Sequence, residues 1–236
     1  MKTFLAWSGG KDSAYCLYKA TVEGLPPSLL VTSVNEAHDR VSMHGVRSIM
    51  IEQQALCLGL PFMTIPLPAA PSMNEYERAI SSGNQQLKGK GFGTAMFGDL
   101  FLDDLKVYRE QLYTKDGIGC SFPLWQMDTG FLLKDFISLG FKAIIVCVNS
   151  RYLDTSFCGR IIDQEFLDDL PLGVDPCGEN GEYHSFVFDG PGFSRPVVFK
   201  LGEVTYQEYA APKQEKDCFK DPEPPAGFYF QDLVPV

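Results

Sequence analysis

The 236-residue sequence has no run of apolar residues longer than the six of Ala143 to Val148, far short of the ~20 that a helix needs to cross a bilayer. A helical membrane span is excluded. An export signal is not expected either, since only a short apolar stretch separates Lys2 from the polar Ser8 to Ser13, where an h-region of ~7 to 15 apolar residues is required. A cytoplasmic location is expected. Basic charge is scarce: 20 Lys and Arg stand against 30 Asp and Glu, and the net charge of -10 opposes passive attraction to phosphate backbones. Stable nucleic-acid binding is therefore not expected. There are three histidines, and the seven cysteines (Cys16, Cys57, Cys120, Cys147, Cys158, Cys177 and Cys218) include no C-x-x-C pair. A structural zinc site is not expected and a reducing compartment is implied. These thiols read as small buried hydrophobes.

What is present is the composition of a soluble globular protein, 45% hydrophobic and 21% charged, long enough for one large domain or two modest ones. The first half alternates short apolar runs with helical periods. Strands are expected at Thr3–Trp7, Ser28–Val34, Phe62–Pro66, Thr94–Gly98 and Ile118–Phe122, and helices at about 12–23, 48–58, 74–88 and 102–114, with a loop over Arg40–Arg47. Strands separated by helices of this length need crossover connections, which give an α/β, doubly wound, parallel five-stranded sheet. After Pro123 the pattern changes to a helix at about 129–139, a buried strand Ala143–Val148, a short acidic helix near 163–170 and strands or hairpins from His184 onward. We expect two domains, 1–124 and a smaller α+β domain over 125–236. Pro212 to Pro225, with four prolines, reads as a surface excursion.

The sharpest local signal is Ser8-Gly9-Gly10-Lys11-Asp12-Ser13, between the first strand and the first helix. Two glycines let backbone N–H groups close around an anion, the helix N-terminus adds partial positive charge, Lys11 adds a point charge, and Ser8 and Ser13 add hydroxyls. The spacing is neither that of a Walker A loop nor G-x-G-x-x-G. Ligands of such sheets lie beyond the carboxyl ends of the strands, where Ser8, Asn35, Gly98 and Asp99 also fall.

The six-residue loop resembles the pyrophosphate loop of the N-type ATP pyrophosphatases. Within that superfamily, three further stretches resemble the diphthine–ammonia ligase, or diphthamide synthase, family: Met43-His44-Gly45-Val46-Arg47, Gly98-Asp99-Leu100-Phe101-Leu102 leading to Tyr108-Arg109-Glu110, and the long Asp175-Pro176-Cys177-Gly178-Glu179-Asn180-Gly181-Glu182-Tyr183-His184. The resemblance implies an adenine nucleotide alpha hydrolase-like sheet that binds ATP with Mg²⁺. It also implies a reaction in which a carboxylate is adenylated and ammonia displaces AMP, with pyrophosphate released first. The acceptor it implies is diphthine, a modified histidine on elongation factor 2, and a different carboxylate is the alternative.

For individual residues the reading stays two-sided. Asp12 either contacts the metal or a water, or caps its helix. His44 and Arg47 are either solvated or contact adenine or phosphates; Gly98 belongs to the nucleotide site. Asp99 either caps the following helix or contacts ribose, metal or substrate, and Tyr108 and Arg109 are either helix surface or substrate contacts. Asn180-Gly181 is either a hairpin turn or, with Gly178, His184 and the flanking acids Glu179 and Glu182, part of a loop that holds ammonium or a cationic substrate. Lys11, Asp12, Asp99, Glu179 and Glu182 are the catalytic candidates. Cys177 is expected to pack. The rival functions are a tRNA-modifying member of the superfamily and a nucleotide sensor without turnover; homo-oligomers are compatible with the sequence.

Overall fold

A computed structural model describes residues 1–41, 44–209 and 226–236. Met43, Cys218 and the proline-rich segment 212–225 lie outside the described residues. Five strands, β1 (Lys2–Ala6), β2 (Leu30–Asn35), β4 (Phe62–Leu67), β5 (Phe92–Met96) and β6 (Gly119–Ser121), form the parallel part of the first sheet. Their spatial order is β4-β2-β1-β5-β6. The chain moves outward from β1 in one direction, then returns and continues from β5 in the other. The order reverses between β1 and β5, and the carboxyl ends of that pair frame the crevice in which such sheets bind ligands.

A sixth strand departs from the sequence expectation. Arg40–Val41, expected in a loop, forms β3 and pairs antiparallel with Val34 and Asn35 of β2. β4 covers the other edge of β2 along its whole length, and β1 reaches only Val31 on this edge. The last two residues of β2 therefore have backbone groups available, and two residues of β3 are enough to pair them.

Helices α1 (Lys11–Val22) and α2 (Ser48–Leu58) cover one face of this sheet, and α3 (Met73–Gly89) and α4 (Asp103–Lys115) the other. Strand alternation sorts the two cores: Leu5 and Trp7 pack with Ala14, Met50 and Ile51, while Phe4 packs with Ile80, Leu87 and Leu112. The remainder of the chain gives α5 (Thr129–Ser138), β7 (Lys142–Asn149), a 3₁₀ turn (Thr155–Phe157), α6 (Gln164–Asp169), β8 (Tyr183–Asp189), β9 (Phe199–Tyr209) and β10 (Ala226–Pro235). Its strands form an antiparallel sheet ordered β8-β7-β10-β9. This second sheet does not close a core of its own. Leu133, Ile144 and Phe186 join the same buried cluster as Leu5, Trp7 and Met50, so α1 and α2 lie sandwiched between the two sheets. That layering brings β8, an edge strand, against the loop after β1.

Candidate active site

A cleft of about 460 Å³ opens over the carboxyl ends of β1 and β5. Ser8, Lys11, Asp12 and Ser13 line it from one side, Gly98, Asp99 and Arg109 from a second, and Gly178, Glu179 and His184 from the second sheet. Sequence motifs up to 176 residues apart thus meet in one cavity, by the span from Ser8 to His184.

The loop after β1 enters α1 through Gly10, whose side provides no cap. Neither Asp12 nor Ser13 caps the helix: Ser13 Oγ donates to the Gly10 carbonyl at 2.9 Å, and Asp12 pairs with Lys11 Nζ at 2.8 and 2.9 Å. The first helical amide is satisfied from the other sheet, Lys11 N–H donating to Ser185 Oγ at 3.1 Å. Lys11 is only 3% exposed. Burial works against its charge, yet the Asp12 carboxylate beside it holds it well above the usual lysine range. Burial pushes Asp12 up against the pull of Lys11, and the nearby Asp99 adds to the rise.

Gly98 lets β5 meet α1 at close range, since a Cβ there would lie 2.8 Å from the Asp12 carbonyl oxygen. The next residue, Asp99, does not cap α4, whose N-cap is Leu102. It accepts from Arg109 Nε at 2.6 Å and Nη2 at 3.2 Å, a two-point pair that fixes both side chains. Arg109 also lies over the Phe97 ring, 4.5 Å from its centre. The neighbouring Tyr108 points away from the cleft and donates to Met73 Sδ at 3.4 Å.

The acidic loop before β8 is built around two carboxylates. Asp175 accepts from Cys177 N–H, Glu179 N–H and the Thr129 hydroxyl, at 2.8, 3.2 and 2.7 Å. Glu182, 1% exposed, accepts from the amides of Asp175 and Asn180 at 3.0 and 2.8 Å and from Asn180 Nδ2 at 3.1 Å. Asn180 and Glu182 shape the loop and are not among the cleft lining. Glu179 is turned the other way, into the cleft. Burial and the repulsion of Asp12 push its carboxyl up to about 8, although Lys11 opposes the rise. Cys177 is buried, its Sγ donating to the Thr129 carbonyl at 3.3 Å, and burial drives its thiol pKa up, away from a nucleophilic thiolate.

His44 and His184 stack with ring centres 4.7 Å apart. Burial pushes His44 down to about 4, and burial, His44 and Lys11 together hold His184 well below the usual histidine range. His44 Nδ1 lies 3.2 Å from the Ser185 carbonyl, and the buried His184 Nε2 has no hydrogen-bond partner among the described residues. The pair is neutral near pH 7. Arg47, by contrast, is not brought to the cleft: its Nε and Nη2 bind Asp232 of β10 at 3.1 and 2.6 Å.

Several residues of the site are not candidates by sequence, although Leu102 and Tyr183 fall inside two of the motif stretches. Tyr76, Leu67, Leu102 and Leu105 supply an apolar wall, and Ser185 and Tyr183 enter from β8, with Lys11 Nζ 5.3 Å from the Tyr183 ring centre. Position on an edge strand facing the loop is what recruits Ser185, and no spacing in the sequence signals it. Among the described residues, no three His, Cys, Asp or Glu side chains group to hold a metal ion. A preformed cage is not what Mg²⁺ requires, because one or two carboxylates plus substrate phosphates normally hold it; the crowding of Asp12, Asp99 and Glu179 fits such a cation.

Two family models match the chain: "Diphthamide synthase N-terminal domain" over residues 1–119 and "Diphthamide synthase C-terminal domain" over residues 128–213. The chain is also similar to the diphthine–ammonia ligase of Homo sapiens, 36% identical over 228 residues, and to that of Bos taurus, 37% identical over 221 residues; each match covers 84% of this chain and 82% of the relative. The Rattus norvegicus ligase is 26% identical over 220 residues.

Proposed function

This chain belongs to the diphthamide synthase family, and on that premise we propose how its cleft carries out ATP-dependent amidation in diphthamide biosynthesis. ATP and ammonia are the substrates, and the acceptor is the diphthine carboxylate on elongation factor 2. The observation that carries the reading is the placement of a donor-rich loop (Ser8 to Ser13) and a cleft-facing acid of raised pKa (Glu179) on opposite walls of one cavity.

Ser8, Gly9, Gly10, Lys11 and Ser13 hold the β and γ phosphates, with backbone N–H groups, hydroxyls and the Lys11 ammonium as donors. Gly98 lets the nucleotide lie over β5, the neutral His44 and His184 border it, and the apolar wall of Tyr76, Leu67, Leu102 and Leu105 receives the uncharged ring. Asp12, together with phosphate oxygens, would hold Mg²⁺, which would offset the negative charge that develops on the leaving pyrophosphate. An acceptor carboxylate oxygen attacks the α-phosphorus, the bond to the bridging oxygen breaks and pyrophosphate leaves. The lone pair of ammonia then attacks the acyl carbon, and AMP departs with its oxygen.

Ammonia must be unprotonated to attack. Glu179, with its pKa raised to about 8, carries a proton near pH 7, and a cation brought beside it lowers that pKa and releases the proton. As a carboxylate it then holds ammonium, or the fixed positive charge of diphthine, and takes the proton shed on amide formation. Asp99 anchors Arg109, and the pair borders the acceptor. Residues 1–124 serve as the nucleotide part and 125–236 as the acceptor part, in a cytoplasmic protein.

The test separates the products of α-labelled ATP in the presence of ammonium and a diphthine-bearing acceptor. Labelled AMP, formed only with the acceptor present and matched by an equal amount of pyrophosphate in a separate pyrophosphate assay, is expected. Predominant ADP, or no turnover with an acceptor that a related ligase amidates, overturns the proposal.

A further inference from the structure

The phosphate loop bonds to itself through Ser8, Ser13 and the Lys11–Asp12 pair, and its Gly9 carbonyl is held from behind. Gln54 of α2 is 0% exposed and lies under the loop, outside the cleft lining. Its Oε1 accepts from Trp7 Nε1 at 2.9 Å, and its Nε2 donates to the carbonyls of Gly9 at 2.9 Å and Val187 at 2.6 Å. The Gly9 carbonyl also accepts from Val187 N–H at 2.9 Å. One carbonyl of the loop is thus gripped twice, by a side chain of α2 and by the backbone of β8.

A peptide unit is planar and trans, so its N–H points opposite to its C=O. Drawing the Gly9 carbonyl down onto Gln54 and Val187 therefore turns the Gly10 N–H up. The Gly10 N–H does lie on that side, 3.3 Å from Ser8 Oγ, and Ser8 lines the cleft. Gly9 adopts φ +80°, and a Cβ there would sit 2.6 Å from Gln54 Oε1 and 2.5 Å from Ile51 Cδ1; glycine is what lets the loop settle on its support.

We propose that Gln54 is a positioning residue for the nucleotide phosphates: it fixes the Gly9–Gly10 peptide so that an amide donor faces the cleft, and it ties that orientation to the second sheet through Val187. The inference rests on the assignment of the loop to phosphate binding. A glutamine is required because the position needs an acceptor for Trp7 and a two-hydrogen donor for two carbonyls on one planar group. Glutamate keeps the acceptor and, when ionised, presents a lone pair to both carbonyls.

The test titrates ATP and AMP into the wild-type protein, Gln54→Glu, Gln54→Met and Leu58→Ala. Leu58 is a partly buried apolar residue on the last turn of the same helix and serves as a stability control. Gln54→Glu and Gln54→Met are expected to lose at least about tenfold in ATP affinity, the scale for a buried acceptor left without its donor, while AMP, which lacks the β and γ phosphates, loses less than twofold. Leu58→Ala is expected to lower the melting temperature without changing the ratio of the two affinities. If Gln54→Glu does not fold, Gln54→Met carries the comparison. An unchanged ATP-to-AMP ratio in the folded Gln54 variants, or the same change in Leu58→Ala, overturns the inference. Failure of the wild type to bind ATP overturns the phosphate assignment instead.

Discussion

On the phosphate side of the cleft, the backbone of Gly9 and Lys11 is held by Gln54, Ser185 and Val187, and that of Gly10 by Ser8 and Ser13. On the acid side, Asp175 and Glu182 take up the loop's own amides, and Glu179 is the carboxyl that faces the cavity. One wall draws on α2 and β8 for its support and presents donors; the other is folded around its own carboxylates, with Thr129 as an outside anchor, and presents an acid. Much of the rigidity of each wall thus comes from groups outside the cleft lining, Gln54 and Val187 on one side and Asp175 and Glu182 on the other, while Lys11 and Glu179 are left to face the ligand.

This contrast makes its strongest demand at Glu179. Glu179→Gln preserves size and the backbone of the loop, so ATP affinity should stay the same near pH 7, where Glu179 is protonated, and rise slightly above pH ~8, where a charged Glu179 repels the phosphates. Amide formation should fall by at least ~100-fold, the scale for removing a positioned acid or base. Product formation at the wild-type rate, measured with the true acceptor, would mean that the acid wall is scaffold only.

A smaller effect is expected from acid. The folded protein holds His44 at about 4, below the ordinary 6.5, so between these values the unfolded chain takes up a proton that the folded one refuses. The stability associated with the neutral imidazole is intact above pH ~6.5 and is lost as pH falls toward 4. Melting temperatures across that range should fall less steeply for His44→Gln than for the wild type. Parallel curves would remove the buried histidine pair from the account.

The least effect belongs to Arg47. Its partner Asp232 is mostly buried but Arg47 itself is 40% exposed, and exposed pairs contribute about 0 to 1 kcal/mol. Arg47→Ala should shift the melting temperature by a few degrees at most and leave ATP affinity unchanged. A tenfold loss of ATP affinity would bring Arg47 back into the phosphate site.

Much of this arrangement can be read from the sequence, for identifiable reasons. Helix α2 runs from Ser48 to Leu58 as periodicity and the following Gly59 indicate, because the αL conformation of Gly59 is a local stop signal. The loop after β1 is likewise local: strand, glycines and helix are contiguous. What fails to show is tertiary. Arg47 sits in a motif, yet its partner comes 185 residues later, and Gln54 looks like any polar residue on a helix. Glu179 and Glu182 flank Asn180-Gly181 alike, and only the fold separates the acid that closes the loop from the acid that enters the cleft. β3 escapes notice because two residues carry no period.

The bond between Lys11 N–H and Ser185 Oγ joins residues 174 positions apart. A ribosome working at about 5 to 20 residues per second needs roughly 9 to 35 s to travel that distance. The last strand of the parallel sheet ends at Ser121, well before Ser185 is made, while the first turn of α1 waits for the residue that completes it. The nascent chain can gather its first sheet early, but the nucleotide pocket matures only when the edge strand of the second sheet emerges and docks, so a chain that stalls between the two is released without a finished phosphate loop.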